Sequence, residues 1–147
     1  MDKPSSGRSF LFWQKWLFCS SLLFALYGVV FAFCENNVLL LSYDKMLARI
    51  LWHREQFPPE AEPFRMFIYG PLGGTIACCY ILLAFIAWYP FREKRVWARN
   101  AIVFAFGVWV VIDSALCFCF GVYPQIILIN GFSILVKALP LIFTWKD

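Results

Sequence analysis

Residues 66–91, MFIYGPLGGTIACCYILLAFIAWYPF, run for 26 residues without one charged side chain. At 1.5 Å of rise per residue, about 20 residues cross a hydrocarbon core of roughly 30 Å. The stretch therefore reads as one membrane span near 66–89. Working outward, residues 16–34 are also free of charge and give a span near 14–35. Beyond Arg99 the only charges before Lys146 are Asp113 and Lys137. That long run is cut by Gly121-Val122-Tyr123-Pro124, a turn-forming cluster, into spans near 100–120 and 123–144. In hydrocarbon each backbone N–H must be paired inside its own segment, so the spans are expected to be helices. The expected fold is all-α: a polytopic membrane protein, one four-transmembrane-helix bundle over residues 1–147.

Composition agrees. The chain is 62% hydrophobic, 20% aromatic and 15% charged, with mean hydropathy +0.70. Soluble domains carry about 25% charged residues, so water is the wrong solvent for this chain. A net charge of +4 spread among so many apolar residues offers no basic patch for nucleic acid. Disorder is excluded by the hydrophobicity itself. The first span follows Lys3, Arg8 and Lys15 as a signal sequence would. Its apolar run exceeds the usual h-region of about 7–15 residues and no small-x-small site closes it, so it reads as a retained anchor.

Lysine and arginine counts set the expected orientation. Lys3, Arg8, Lys15, Arg92, Lys94, Arg95, Arg99 and Lys146 share one side, and Lys45, Arg49, Arg54 and Arg65 the other. The richer side is expected to be cytoplasmic, with both termini there, and Trp13, Trp16, Trp88, Trp97 and Trp145 fall at its boundary. In the exoplasmic loop 36–65, Leu40, Tyr43, Leu47, Ile50 and Leu51 recur at helical spacing while Ser42, Lys45 and Arg49 take another face. That pattern predicts a short amphipathic helix lying on the membrane or capping the bundle. Pro58, Pro59 and Pro63 mark an extended linker into the second span.

The six cysteines stand at 19, 34, 78, 79, 117 and 119. No Cys-x-x-Cys occurs, and with His53 the only histidine no metal site is expected. Free cysteines usually act as small apolar core residues. The sharper alternative is a disulfide or redox pair between Cys34 and Cys117 or Cys119, all near exoplasmic span ends.

Polar residues inside spans carry the functional expectation. An aspartate in mid-span costs ~2.5–3.5 kcal/mol on insertion scales, so Asp113 should face the interior and have a partner. Counting residues from each exoplasmic end puts Asp113 about 10 Å deep, with Asn130, Thr75 and Tyr27 within a few ångströms of that level. One polar residue from each helix at one level suits a small ligand site, with Trp109 and phenylalanines lining its apolar part. Hydrogen-bonding glue between helices and a proton or ion relay are the competing readings. Lys137 lies roughly 10 Å deeper and is expected to snorkel toward the cytoplasmic end. Gly70 and Gly74 form a small-x-x-x-small pair for close helix packing. Pro71, Asn130-Gly131 and Pro140 point to irregular helices.

The runs Tyr69-Gly70-Pro71-Leu72-Gly73-Gly74-Thr75, Tyr89-Pro90-Phe91-Arg92, Trp97-Ala98-Arg99-Asn100 and Trp109-Val110-Val111-Ile112-Asp113 resemble a group of small, uncharacterised bacterial four-helix integral membrane proteins. The resemblance spans roughly residues 65–145 and implies the topology, a bacterial inner membrane and a place for Asp113 in the pattern, with no activity attached. Architecture alone is similar to the sterol-isomerase and sigma-2-receptor fold, which packs four helices around acidic intramembrane residues. Here only Asp113 is such an acid, whereas a proton-shuttling isomerase wants an acid and a base.

The function expected from these residues is non-enzymatic: binding or accessory work on an apolar ligand, a lipid or a partner membrane protein, or a homodimer, with no cofactor. The alternatives are a membrane-embedded lipid- or sterol-type isomerase using Asp113 and a thiol-redox enzyme using the exoplasmic cysteines.

Overall fold

The computed structural model describes residues 5–34 and 38–145; the side chains of residues 5–7 and of Leu39 are not included. Lys3 and Lys146 of the charge count therefore lie outside the described residues. Five helices follow one another, with no strand among the described residues: α1 Ser5–Phe33, α2 Val38–Trp52, α3 Glu62–Trp88, α4 Val96–Cys119 and α5 Tyr123–Phe143. All but α2 are long and apolar enough to cross a membrane. The spans run four to nine residues past the expected starts of the first three, because a helix continues into the interface where hydropathy stops signalling it.

Side-chain pairs fix the path of the chain. Phe10 stacks on Phe91 and Phe31 packs on Tyr69, so α1 and α3 run antiparallel. The Trp13–Phe143 stack and the Phe24–Phe132 contact make α5 antiparallel to α1. Asn130 meets Asp113 while Arg99 meets Trp145, so α4 and α5 are antiparallel too. The result is an up-down bundle with the α1 start, the α3–α4 loop and the α5 end at one pole, and α2 with the α4–α5 turn at the other. Gly121 makes that turn: its φ of 71° is left-handed, and Val122 N–H reaches back to Cys117 O at 2.8 Å.

The closest approach lies between α1 and α3. A Cβ on Gly28 would stand 2.6 Å from the Ala77 nitrogen, and one on Gly73 would stand 2.7 Å from the Ala32 nitrogen. The two backbones touch through Gly28-x-x-x-Ala32 and Gly73-x-x-x-Ala77, the arrangement expected of helices in lipid. Gly70 and Gly74 do not make this contact. Nothing lies within 4 Å of where their Cβ atoms would be. The inward stripe of α3 is Tyr69, Gly73 and Ala77, one position out of phase with the expected pair and thus about 100° around the helix.

Pro71 does not break α3, which is continuous from Glu62 to Trp88. Irregularity is concentrated in α5 instead, where residues Ile126–Asn130 form a π-helical turn between α-helical flanks. Helix α2 caps the bundle as its pattern suggested. Leu40 and Ala48 are wholly buried, while Ser42, Lys45 and Arg49 face outward. Leu51 is exposed, and Asp44 takes an inward place that the apolar pattern did not announce.

Candidate functional site

Asp113 lies on α4 two turns before its end, partly exposed, and is the focus of a polar cluster. Asn130 Nδ2 donates to its Oδ2 at 2.8 Å and reaches Ser114 Oγ at 3.1 Å. Gln125 Nε2 lies 3.3 and 3.2 Å from the two carboxylate oxygens, and the Cys117 thiol 3.5 Å from Oδ2. Gln125 in turn accepts a bond from Tyr43 Oη of α2 at 2.7 Å.

The π turn explains why two α5 amides reach one carboxylate. Gln125 and Asn130 are five residues apart, which in a regular α-helix separates them by about 140° around the axis. A π turn bonds residue i to i+5 and brings those two positions onto one face. Gly131 N–H, bonded to Ile126 O, closes that turn just below the cluster. Asn130 itself is 1% exposed, and its Oδ1 is a buried acceptor with no hydrogen-bond partner among the described residues.

The other expected site residues sit elsewhere. Thr75 is on the outward face of α3 and donates to Pro71 O of its own helix at 2.8 Å. Tyr27 packs beside Phe31, which lies on Tyr69, in the α1–α2–α3 corner. Trp109, one turn before Asp113, is 37% exposed with its ring edge-on to Phe106. The depth arithmetic was sound for Asn130, but depth does not say which way a side chain faces.

All six cysteines are free thiols. Only Cys117, against Asp113, is buried as the core reading expected; the other five are exposed, and the alternative pairing of Cys34 with Cys117 or Cys119 is not formed. Cys117 and Cys119, two apart on a helix, cannot share a face.

A second cluster joins α2 to the start of α3. Arg65 Nη1 lies 2.7 Å from Asp44 Oδ2, both side chains being 11% exposed. Arg65 also pairs with Glu62, and Tyr69 Oη donates to Asp44 Oδ1. The guanidinium lies 5.2 Å from the Tyr69 ring centre. Burial pushes the Asp44 carboxyl up, against the opposing pull of Tyr69 and Arg65. Burial, and then the charge of Asp113, raise the Tyr43 phenol, which keeps its proton and serves as the donor to Gln125.

Lys137 does not snorkel. It is 1% exposed in the bundle core, with Nζ at 2.9 Å from Ser20 Oγ and 3.2 Å from Ser21 Oγ. The faces of Phe24 and Tyr80 lie 5.0 and 5.1 Å away. Its distance from an aqueous pole is irrelevant once two hydroxyls and two rings solvate the amine locally.

The sequence reading missed Gln125, Tyr43, Asp44 and Arg65. Gln125 follows a proline in a turn cluster, and Tyr43 belongs to an apolar helical face, so neither signalled a polar role. Among the described residues no three His, Cys, Asp or Glu side chains gather as a metal cluster. Compared with models of known families, with curated proteins and with solved structures, the chain matches none.

Proposed function

We propose that this membrane protein is a non-enzymatic binding or accessory protein whose ligand, an amphiphile or lipid, is held at Asp113 beneath α2. One observation carries the reading: among the described residues a partly exposed carboxyl in a span is met only by neutral donors, and beside it stands a buried acceptor with no partner. Buried polar groups are normally satisfied, so an orphan at a charged site marks a place for something else. Acid–base catalysis finds less support. The groups facing Asp113 are two amides and a thiol, and an isomerase would need a second group that exchanges protons near neutrality.

The reading includes a bacterial inner membrane with both termini cytoplasmic. Supporting it, the basic residues Arg92, Lys94, Arg95 and Arg99 lie at the pole that also carries Trp13, Trp88 and Trp145. Thiol labelling of single cysteines placed in the 89–95 loop checks this, and label entering from the periplasm overturns it. Native mass spectrometry of gently extracted protein, wild type beside Asp113→Asn, tests the site. An added mass of about a few hundred daltons on the wild type alone is the expected outcome, within the size range of small amphiphiles. Identical bare protein in both samples would end the proposal.

A further inference from the structure

We infer that the group held at Asp113 is a primary ammonium on an apolar chain, an assignment that rests on the binding reading above. Two things are missing at one place. The first is positive charge. No ion pair among the described residues includes Asp113. Two cations of the bundle, Arg65 and Lys137, are engaged elsewhere: Arg65 on Asp44 and Glu62, and Lys137 on Ser20, Ser21 and two aromatic faces. Carboxylates within membrane spans are retained where a partner compensates them.

The second missing element is a hydrogen-bond donor. Asn130 spends its amide nitrogen on Asp113 and Ser114, leaving Oδ1 buried and unpaired. That nitrogen is 2.8 Å from the carboxylate, so the orphan oxygen adjoins the place where the counter-charge is lacking. A primary ammonium supplies one positive charge and three N–H donors together. A quaternary ammonium brings the charge without donors, and a hydroxyl brings a donor without charge. The chain attached to it is apolar because Ile112 and Leu116, flanking Asp113 on α4, face outward where lipid lies.

Four probes of equal chain length separate these chemistries: hexadecylamine, hexadecyltrimethylammonium, hexadecanol and hexadecanoate, each exchanged into the purified full chain and read by native mass spectrometry. The amine is expected to be retained, with the quaternary analogue roughly tenfold weaker or more. Retention in Asp113→Asn should fall roughly thirtyfold, as for one partner lost from a desolvated charge pair. Vesicles of phosphatidylethanolamine or phosphatidylcholine then tell a lipid headgroup from a free amine. Co-purifying ethanolamine lipid names the former, and hexadecylamine retained without it names the latter. If hexadecanol or hexadecanoate binds as well as the amine, the ammonium assignment falls while the site survives. If none of the four binds, both readings fall. Should Asp113→Asn not elute as the wild type does, the ranking of probes on the wild type decides alone.

Discussion

Replacing Lys137 separates packing from polarity at the level of one side chain. A lone buried amine makes poor use of a core, and apolar residues of similar volume often substitute at no cost or a gain. Lys137→Met is therefore expected to hold or raise the melting temperature, whereas Lys137→Ala, which also opens a cavity, should lower stability by about 2–4 kcal/mol. A large loss in both variants would mean that the amine has a structural task beyond Ser20 and Ser21. Tyr43→Phe removes a single bond to Gln125 and should cost about 0.5–1.5 kcal/mol in a thermal melt. Much of this scale was visible beforehand. Asp113 and Asn130 announced themselves as polar residues at one depth, but Thr75 shared that depth and faces away. Rise per residue is legible from a sequence; azimuth depends on which stripe the neighbouring helix chooses.

That choice is made at the level of helices, by glycine. Gly28 and Gly73 admit backbone against backbone, and so decide which face of α3 turns inward. Gly28→Leu or Gly73→Leu should abolish the monodisperse folded protein, while Gly74→Leu should change stability by no more than about 0.5 kcal/mol in a thermal melt. The sequence contained both glycine pairs, and no local rule ranked 70/74 below 28/73. The π turn was equally hidden, since only its consequence, two amides on one carboxylate, gives it away. Deleting Ile127 should restore a regular helix in which Gln125 and Asn130 stand four apart, about 40° around the axis, so both amides should still face Asp113. Retention of the proposed amphiphile should then persist, with helicity by circular dichroism unchanged, and its loss would show that the π turn does more than align the two amides. At α2, Arg65→Met would strand Asp44 without its cation and should cost about 3 kcal/mol. Faster proteolysis in the 53–61 loop would report it.

Across the whole molecule the number and order of spans were readable because hydrocarbon permits so few solutions. The seat of α2 was readable in part: the pattern placed its apolar face against the bundle, but not the Asp44–Arg65 pair or the Tyr43 hydroxyl on Gln125 that anchor it. The fusion of α1 and α3 has a mechanical consequence. Two backbones in contact over Gly28 and Gly73 have no side chains between them to compress, so the pair behaves as a stiff beam. Helix α4 is held more lightly, with few buried positions and slight contact to α3, and it carries Asp113. Any flexing of the bundle is thus concentrated on the compliant side. An occupant of the site proposed at Asp113 would work there as a brace, damping the side that the beam steadies least.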